Sequence, residues 1–90
     1  MQLAIVTGSV WSTRKDERLI GMKLMIVQPI DYLKDSQEHR PVIAVDTIGA
    51  GIGETVLMVG GSCARKAVKN DDAPVDAAIV GIVDDKEMAK

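Results

Sequence analysis

The sequence contains no phenylalanine, and Trp11 and Tyr32 are its only aromatic residues. Its core must be aliphatic, and the aromatic platforms on which single-stranded nucleic acids stack are missing. Cys63 is the only cysteine, which excludes an internal disulfide framework and fits a reducing compartment. His39 is the only histidine, so no Cys/His zinc cluster can take a disulfide's place. No apolar run approaches the roughly 20 residues that a membrane-spanning helix needs. Met1-Gln2-Leu3-Ala4-Ile5 carries neither the basic region nor the small-residue cleavage site of a secretory signal, so a cytoplasmic location is expected. Charge of one sign is also scarce. The 11 basic and 13 acidic residues leave a net charge of −2, too little for a strong grip on nucleic acid or anionic lipid.

What is present is one small domain of 90 residues, 47% of them hydrophobic. A chain of this size buries only about 60–65% of its unfolded surface, so its stability is marginal alone. With disulfides and zinc excluded, association with other chains is the expected source of extra stability.

The chain reads as short β-branched runs separated by turn chemistry. Leu3 to Trp11 is the first, and Gly8 within it marks a bulge or bend. A polar connector, Ser12 to Arg18, leads through Leu19-Ile20-Gly21 to a second strand, Lys23 to Val27, which Pro29 stops. Asp31 to Arg40 reads as a variable surface loop. The third strand is Val42 to Val45 and the fourth Thr55 to Val59. Gly60-Gly61 ends the fourth, with Ser62 placed as the N-cap of a short helix over Ala64 to Val68. Val75 to Val83 is a fifth, largely apolar strand. Five strands and one short helix predict an all-β fold, a small five-stranded barrel, over residues 1–85, with a charged tail at 86–90. The fifth strand has too few polar positions for one solvated face. Two readings stay open: a neighbouring subunit covers its second face, or Ala77-Ala78 packs under a loop of the same chain.

Few constellations suggest chemistry. Gly49-Ala50-Gly51-Ile52-Gly53 spaces its third glycine one residue early for a dinucleotide fingerprint, and it opens a strand rather than a helix. What survives is a loop needing positive φ or close backbone approach, as where several chains crowd a symmetry axis. Gly60-Gly61-Ser62-Cys63 has the form of an anion nest, but a capped turn explains it as well. Cys63 as a nucleophile lacks a base. The acidic pairs Asp71-Asp72 and Asp84-Asp85 lack the alternating ligands of a cation loop. Asp46 and Asp76, each beside an apolar run, read as turn or interface hydrogen-bond acceptors. No enzyme, cofactor or metal is expected. The competing reading is an OB-like binding module for single-stranded nucleic acid or a small anion, with Arg14, Lys15 and Arg18 as its basic cluster.

Several motifs, in order and over nearly the whole chain, carry a resemblance. They are Leu3-Ala4-x-Val6-x-Gly8-x-Val10 with Ser12-Thr13, then Leu19-Ile20-Gly21-x-Lys23-Leu24. Ala44-Val45-Asp46-x-x-Gly49-Ala50-Gly51-x-Gly53-Glu54-x-Val56-Leu57 is the most specific. Gly61-Ser62-x-Ala64-Arg65 and Pro74-Val75-Asp76-x-x-x-Val80-Gly81-Ile82-Val83-Asp84 follow. The chain resembles the EutN/CcmL family, the pentameric vertex proteins of bacterial microcompartment shells. That resemblance implies an OB-like five-stranded barrel assembling into homopentamers at the corners of a polyhedral shell. Its partners would be further copies of itself and the hexameric shell proteins, because a sheet of hexagons cannot close without pentagons. It also implies that Gly49, Ala50, Gly51, Ile52 and Gly53 form the loop near the axial pore. Glu54 and Arg65 become candidates for salt bridges between subunits. The connector from Ser12 to Leu19 looks more like vertex proteins of catabolic compartments than of carbon-fixing ones.

Overall fold

The computed structural model describes residues 1–30 and 40–84. Most of the expected 31–40 loop and the 86–90 tail lie outside the described residues. The chain forms β1 (Gln2–Val10), a 3-10 turn (Glu17–Leu19), β2 (Lys23–Pro29), β3 (Val42–Asp46), β4 (Thr55–Gly60), α1 (Gly61–Ala67) and β5 (Ala77–Ile82). The strands close a barrel in the order β1-β2-β3-β5-β4. All pairings are antiparallel except β3 with β5, which meet in parallel at only two residue pairs. The expected barrel is therefore present, with every sequence-derived strand in place.

Alternation of side chains across each strand decides what lies inside. Ala4, Val6, Met25, Val27, Ala44, Val56, Met58, Ala77 and Ile79 point inward and form one buried cluster, joined by Ala50 from the loop after β3. The largest fully buried side chains are Met25, Ile79, Val6, Val27 and Val56. Alanines at three barrel positions keep the narrow interior fillable without an aromatic ring, and Trp11 stands outside at 93% exposure.

Two irregularities bend the strands into closure. The β1–β2 register steps from Val6↔Val27 to Gly8↔Ile26, leaving Thr7 as an extra residue beside the glycine expected to mark a bulge. The β4–β5 register steps from Leu57↔Gly81 to Met58↔Ile79, which makes Val80 the extra residue there.

A second apolar cluster lies outside the barrel. Val45 and Ala78 on the sheet pack with Ala64 of α1 and with Ala73 and Val75 of the following loop. Leu19, Met22, Leu24, Val59, Ala67 and Val68 flank it. The chain's own helix and loop thus cover the first half of β5, where Ala78 is fully buried, whereas Gly81, Ile82 and Val83 stay half-buried. The placing of Ser62 as N-cap is corrected. Gly60 occupies that position without any side-chain bond, and α1 begins at Gly61 with no intervening loop. Gly61 turns the chain at φ 59°, and its N–H is bonded to the Asp76 carbonyl at 2.9 Å, so neither role falls to a serine. Pro29 also ends β2 from within, as its last residue.

Candidate functional site

The glycine-punctuated segment after β3 is a loop wrapped around its own carboxylate. Asp46, the last residue of β3, accepts from three backbone donors: Ile48 and Gly49 at 2.9 Å to Oδ1, and Ala50 at 2.8 Å to Oδ2. Lys23 Nζ approaches Oδ2 to 3.6 Å and also donates to the Ala50 carbonyl at 3.3 Å. Thr47 bonds through its hydroxyl to the Ile79 carbonyl at 2.7 Å, tying the loop to β5. The Asp46 side chain is fully shielded from solvent. Burial pushes its carboxyl up, but the three N–H donors, with Lys23 behind them, outweigh this and hold it below the ordinary carboxylate value.

The second half of the loop is fixed by Glu54 and β1. Gly51 N–H donates to Glu54 Oε1 at 2.6 Å, and Glu54 N–H donates to the Gly51 carbonyl at 3.2 Å. Gly53 N–H donates to the Val6 carbonyl at 2.8 Å, while Val6 N–H donates to the Glu54 carbonyl at 3.0 Å. Gly49 and Gly53 have φ of 100° and 93°, which a side chain adopts only under strain. Their glycines are therefore explained within one chain. Gly51 has no positive φ, and its Cβ would meet only Glu54 Oε1, at 3.2 Å. Ala50 anchors the loop in the core, and Ile48 and Ile52 are left 50% and 66% exposed. The result is a braced platform presenting two isoleucines.

The remaining candidates lie elsewhere. Arg65 sits on α1 and reaches the Val75 carbonyl at 3.5 Å, and the exposed Asp76 immediately precedes β5. Glu54 precedes the first residue of β4, whereas Arg65 and Asp76 lie beyond its last, some 17 Å away at ~3.3 Å per residue. Within one chain Glu54 and Arg65 do not meet. The only ion pairs among the described residues are Arg18–Asp16 and Lys23–Asp46.

The basic cluster of the connector is partly neutralised internally. Arg18 grips both oxygens of Asp16 at 2.7–2.8 Å, with a further bond to the Asp72 carbonyl at 2.6 Å. Hydrogen bonds from the Arg18 side chain and backbone hold the Asp16 carboxyl well below its ordinary value. A half-open groove of about 390 Å³ runs beside Trp11, lined by Val10, Lys15, Met22 and Leu24 among others. Among the described residues no group of three or more His, Cys, Asp or Glu side chains could hold a metal ion. Cys63 is exposed. Sequence reasoning read Asp46 as a turn or interface hydrogen-bond acceptor, in line with these three bonds, but did not find its Lys23 brace. The signal for the three bonds was there in Asp46-Thr47-Ile48-Gly49, since an aspartate just ahead of a glycine turn readily bonds the N–H groups that follow it.

A family model described as "Ethanolamine utilisation protein EutN/carboxysome" matches residues 1–84, almost the whole chain. The chain belongs to the EutN/CcmL family. Among its relatives, the carboxysome shell vertex protein CcmL of Synechocystis sp. is 47% identical over 89 residues, spanning 99% of this chain and 88% of that protein. The bacterial microcompartment shell vertex protein PduN of Salmonella typhimurium is 46% identical over 87 residues, spanning 93% of this chain and 96% of that protein. The solved structure of the GrpN pentameric microcompartment shell protein from Rhodospirillum rubrum superposes with a TM-score of 0.85 at 42% identity, covering 99% of this chain and 100% of that one. These relatives are structural shell proteins. These relatives include a carboxysome protein, and nothing in their names favours the catabolic compartment expected from the 12–19 connector.

Proposed function

We propose that this chain is a vertex protein of a bacterial microcompartment shell, acting as a homopentamer in the cytoplasm and without catalysis. The observation that carries the reading is the full-length match to a pentameric microcompartment shell protein at TM-score 0.85. A cyclic pentamer joins two different patches of each chain, so every copy needs two distinct contact surfaces. The braced 46–54 loop suits the position near the fivefold axis. Its shape is set by internal hydrogen bonds, and Gly51, which its own chain does not require to be glycine, allows a neighbouring backbone to approach closely. Glu54 and Arg65 lie at opposite ends of β4 and pair between neighbouring copies, with Asp46 serving the loop and Asp76 the rim near Arg65. The outer edges of the ring dock onto hexameric shell proteins.

The test is native mass spectrometry of the tag-free chain. The expected species is five copies of the 9.7 kDa chain, about 48 kDa. A monomer or dimer across the micromolar range, and no capping of shells assembled from hexameric proteins, would overturn the reading.

A further inference from the structure

Resting on the pentameric reading, we infer that the outer face of β1, β4 and β5, centred on Leu57, is the surface that the next copy of the chain covers. Strand register places Leu3 opposite Leu57 and Leu57 opposite Gly81, while Ile5 stands opposite Thr55. Directly opposed residues project to the same side of a sheet, so these five form one continuous outward strip. Their inward neighbours Ala4, Val56, Met58 and Ile79 belong to the barrel core, which confirms that the strip faces out.

Among the described residues, none covers this strip. Leu3, Ile5 and Leu57 are half-buried and belong to neither apolar cluster. The 3-10 turn, α1 and the 70–75 loop cover the adjoining part of the outer surface, above Leu24, Val45, Val59 and Ala78, and stop short of Leu57. The strip carries no charged side chain, in a chain where 27% of residues are charged. Depletion of charge marks the centre of a protein interface, whereas a solvated sheet face alternates apolar with polar residues.

Gly81 supplies an independent observation. Its φ is not positive, and a Cβ there would make only an ordinary 3.4 Å contact with Leu57 Cδ1. The isolated barrel therefore does not require glycine at this position. A glycine on the outward side of a strand leaves a shallow floor beside Leu57, which suits the close approach of another backbone. The occupant is a second copy because the full-length relative at 42% identity is pentameric, and each copy in such a ring has two patches covered, one by each neighbour.

Two measurements on the full chain test this. Carbene footprinting of the wild-type assembly reads whether Leu3, Ile5 and Leu57 are labelled less at micromolar than at nanomolar chain concentration, with Trp11, 93% exposed, as the reference. Leu57→Asp places a charge on the strip, and Gly81→Lys raises its floor, each with folding checked by circular dichroism. Native mass spectrometry should show the half-assembly concentration rising more than about tenfold for both, and concentration-dependent protection of the strip in the wild type. If the wild type forms no pentamer, the functional reading itself fails. If the wild type is pentameric but the strip stays fully labelled, or a folded Leu57→Asp or Gly81→Lys variant assembles as the wild type does, this inference alone is overturned. Full pentamer assembly with loss of docking onto hexameric shell proteins would overturn it too, assigning the strip to another partner.

Discussion

Replacing Asp46 with alanine removes the acceptor for three backbone donors in one step, and the structure orders the consequences. Ile48 and Gly49 are exposed, so their N–H groups regain water. Ala50 is 1% exposed, and its N–H is left buried without a partner. An unsatisfied buried donor costs ~1–3 kcal/mol, and each lost bond to a charged acceptor contributes ~1.5–3 kcal/mol where water does not replace it. The net cost of Asp46→Ala is therefore about 2–4 kcal/mol. Asp46→Asn keeps the two bonds to Oδ1 but turns an amide donor toward the Ala50 N–H, for about 1–2 kcal/mol. Lys23→Met removes an ion pair whose lysine side chain is 56% exposed, worth less than about 1 kcal/mol after screening. The predicted order is thus Asp46→Ala, then Asp46→Asn, then Lys23→Met. Urea unfolding followed by circular dichroism, at one fixed chain concentration so that assembly contributes equally, reads these differences. A domain of this size has about 5–13 kcal/mol in total, so the alanine variant should melt roughly 8–32 °C lower. An Asp46→Ala variant within about 0.5 kcal/mol of wild type, or Lys23→Met costing as much as it, would refute the clamp.

The same carboxylate makes stability depend on pH. Its folded pKa lies below the unfolded value near 3.9, so its contribution is complete above about pH 4 and is lost as pH falls through the folded value; the slope of stability against pH below 4 should shrink in Asp46→Asn. Gly53→Ala forces a side chain to φ 93° and should cost at least ~1 kcal/mol in urea unfolding. Gly51→Val meets no φ penalty but presses on Glu54 Oε1, so the barrel should keep its wild-type circular dichroism while native mass spectrometry shows loss of pentamer. Arg18→Ala frees the connector from Asp72, and amide exchange should quicken around Leu19 and Ala73 without change in the barrel strands.

Local chemistry alone determined most of the strand map. β-branched runs broken by Gly, Pro and Asn/Asp marked five strands and one helix. Gly8 marked a bulge, and the absence of phenylalanine required an aliphatic core. Several motifs in order over nearly the whole chain, the most specific from Ala44 to Leu57, were enough to reach the family. Other features waited for the tertiary structure, because they depend on which groups the barrel brings together from far along the chain. Ser62 has the chemistry of an N-cap, yet β4 runs directly into α1 and the Gly61 N–H is taken by the carbonyl of Asp76. The fifth strand's two apolar faces allowed two readings, and packing divided them: α1 and its following loop bury Ala78, while half-buried Gly81 lies on a face that no described element covers. Three alternate glycines suggested crowding by other chains, but positive φ accounts for Gly49 and Gly53 and leaves only Gly51 to that explanation. Lys23 meets Asp46 only because β2 pairs with β3 in a register that places those two residues opposite each other. Residue type and spacing determine what a segment can form; long-range pairing decides which of its donors, acceptors and faces are already occupied.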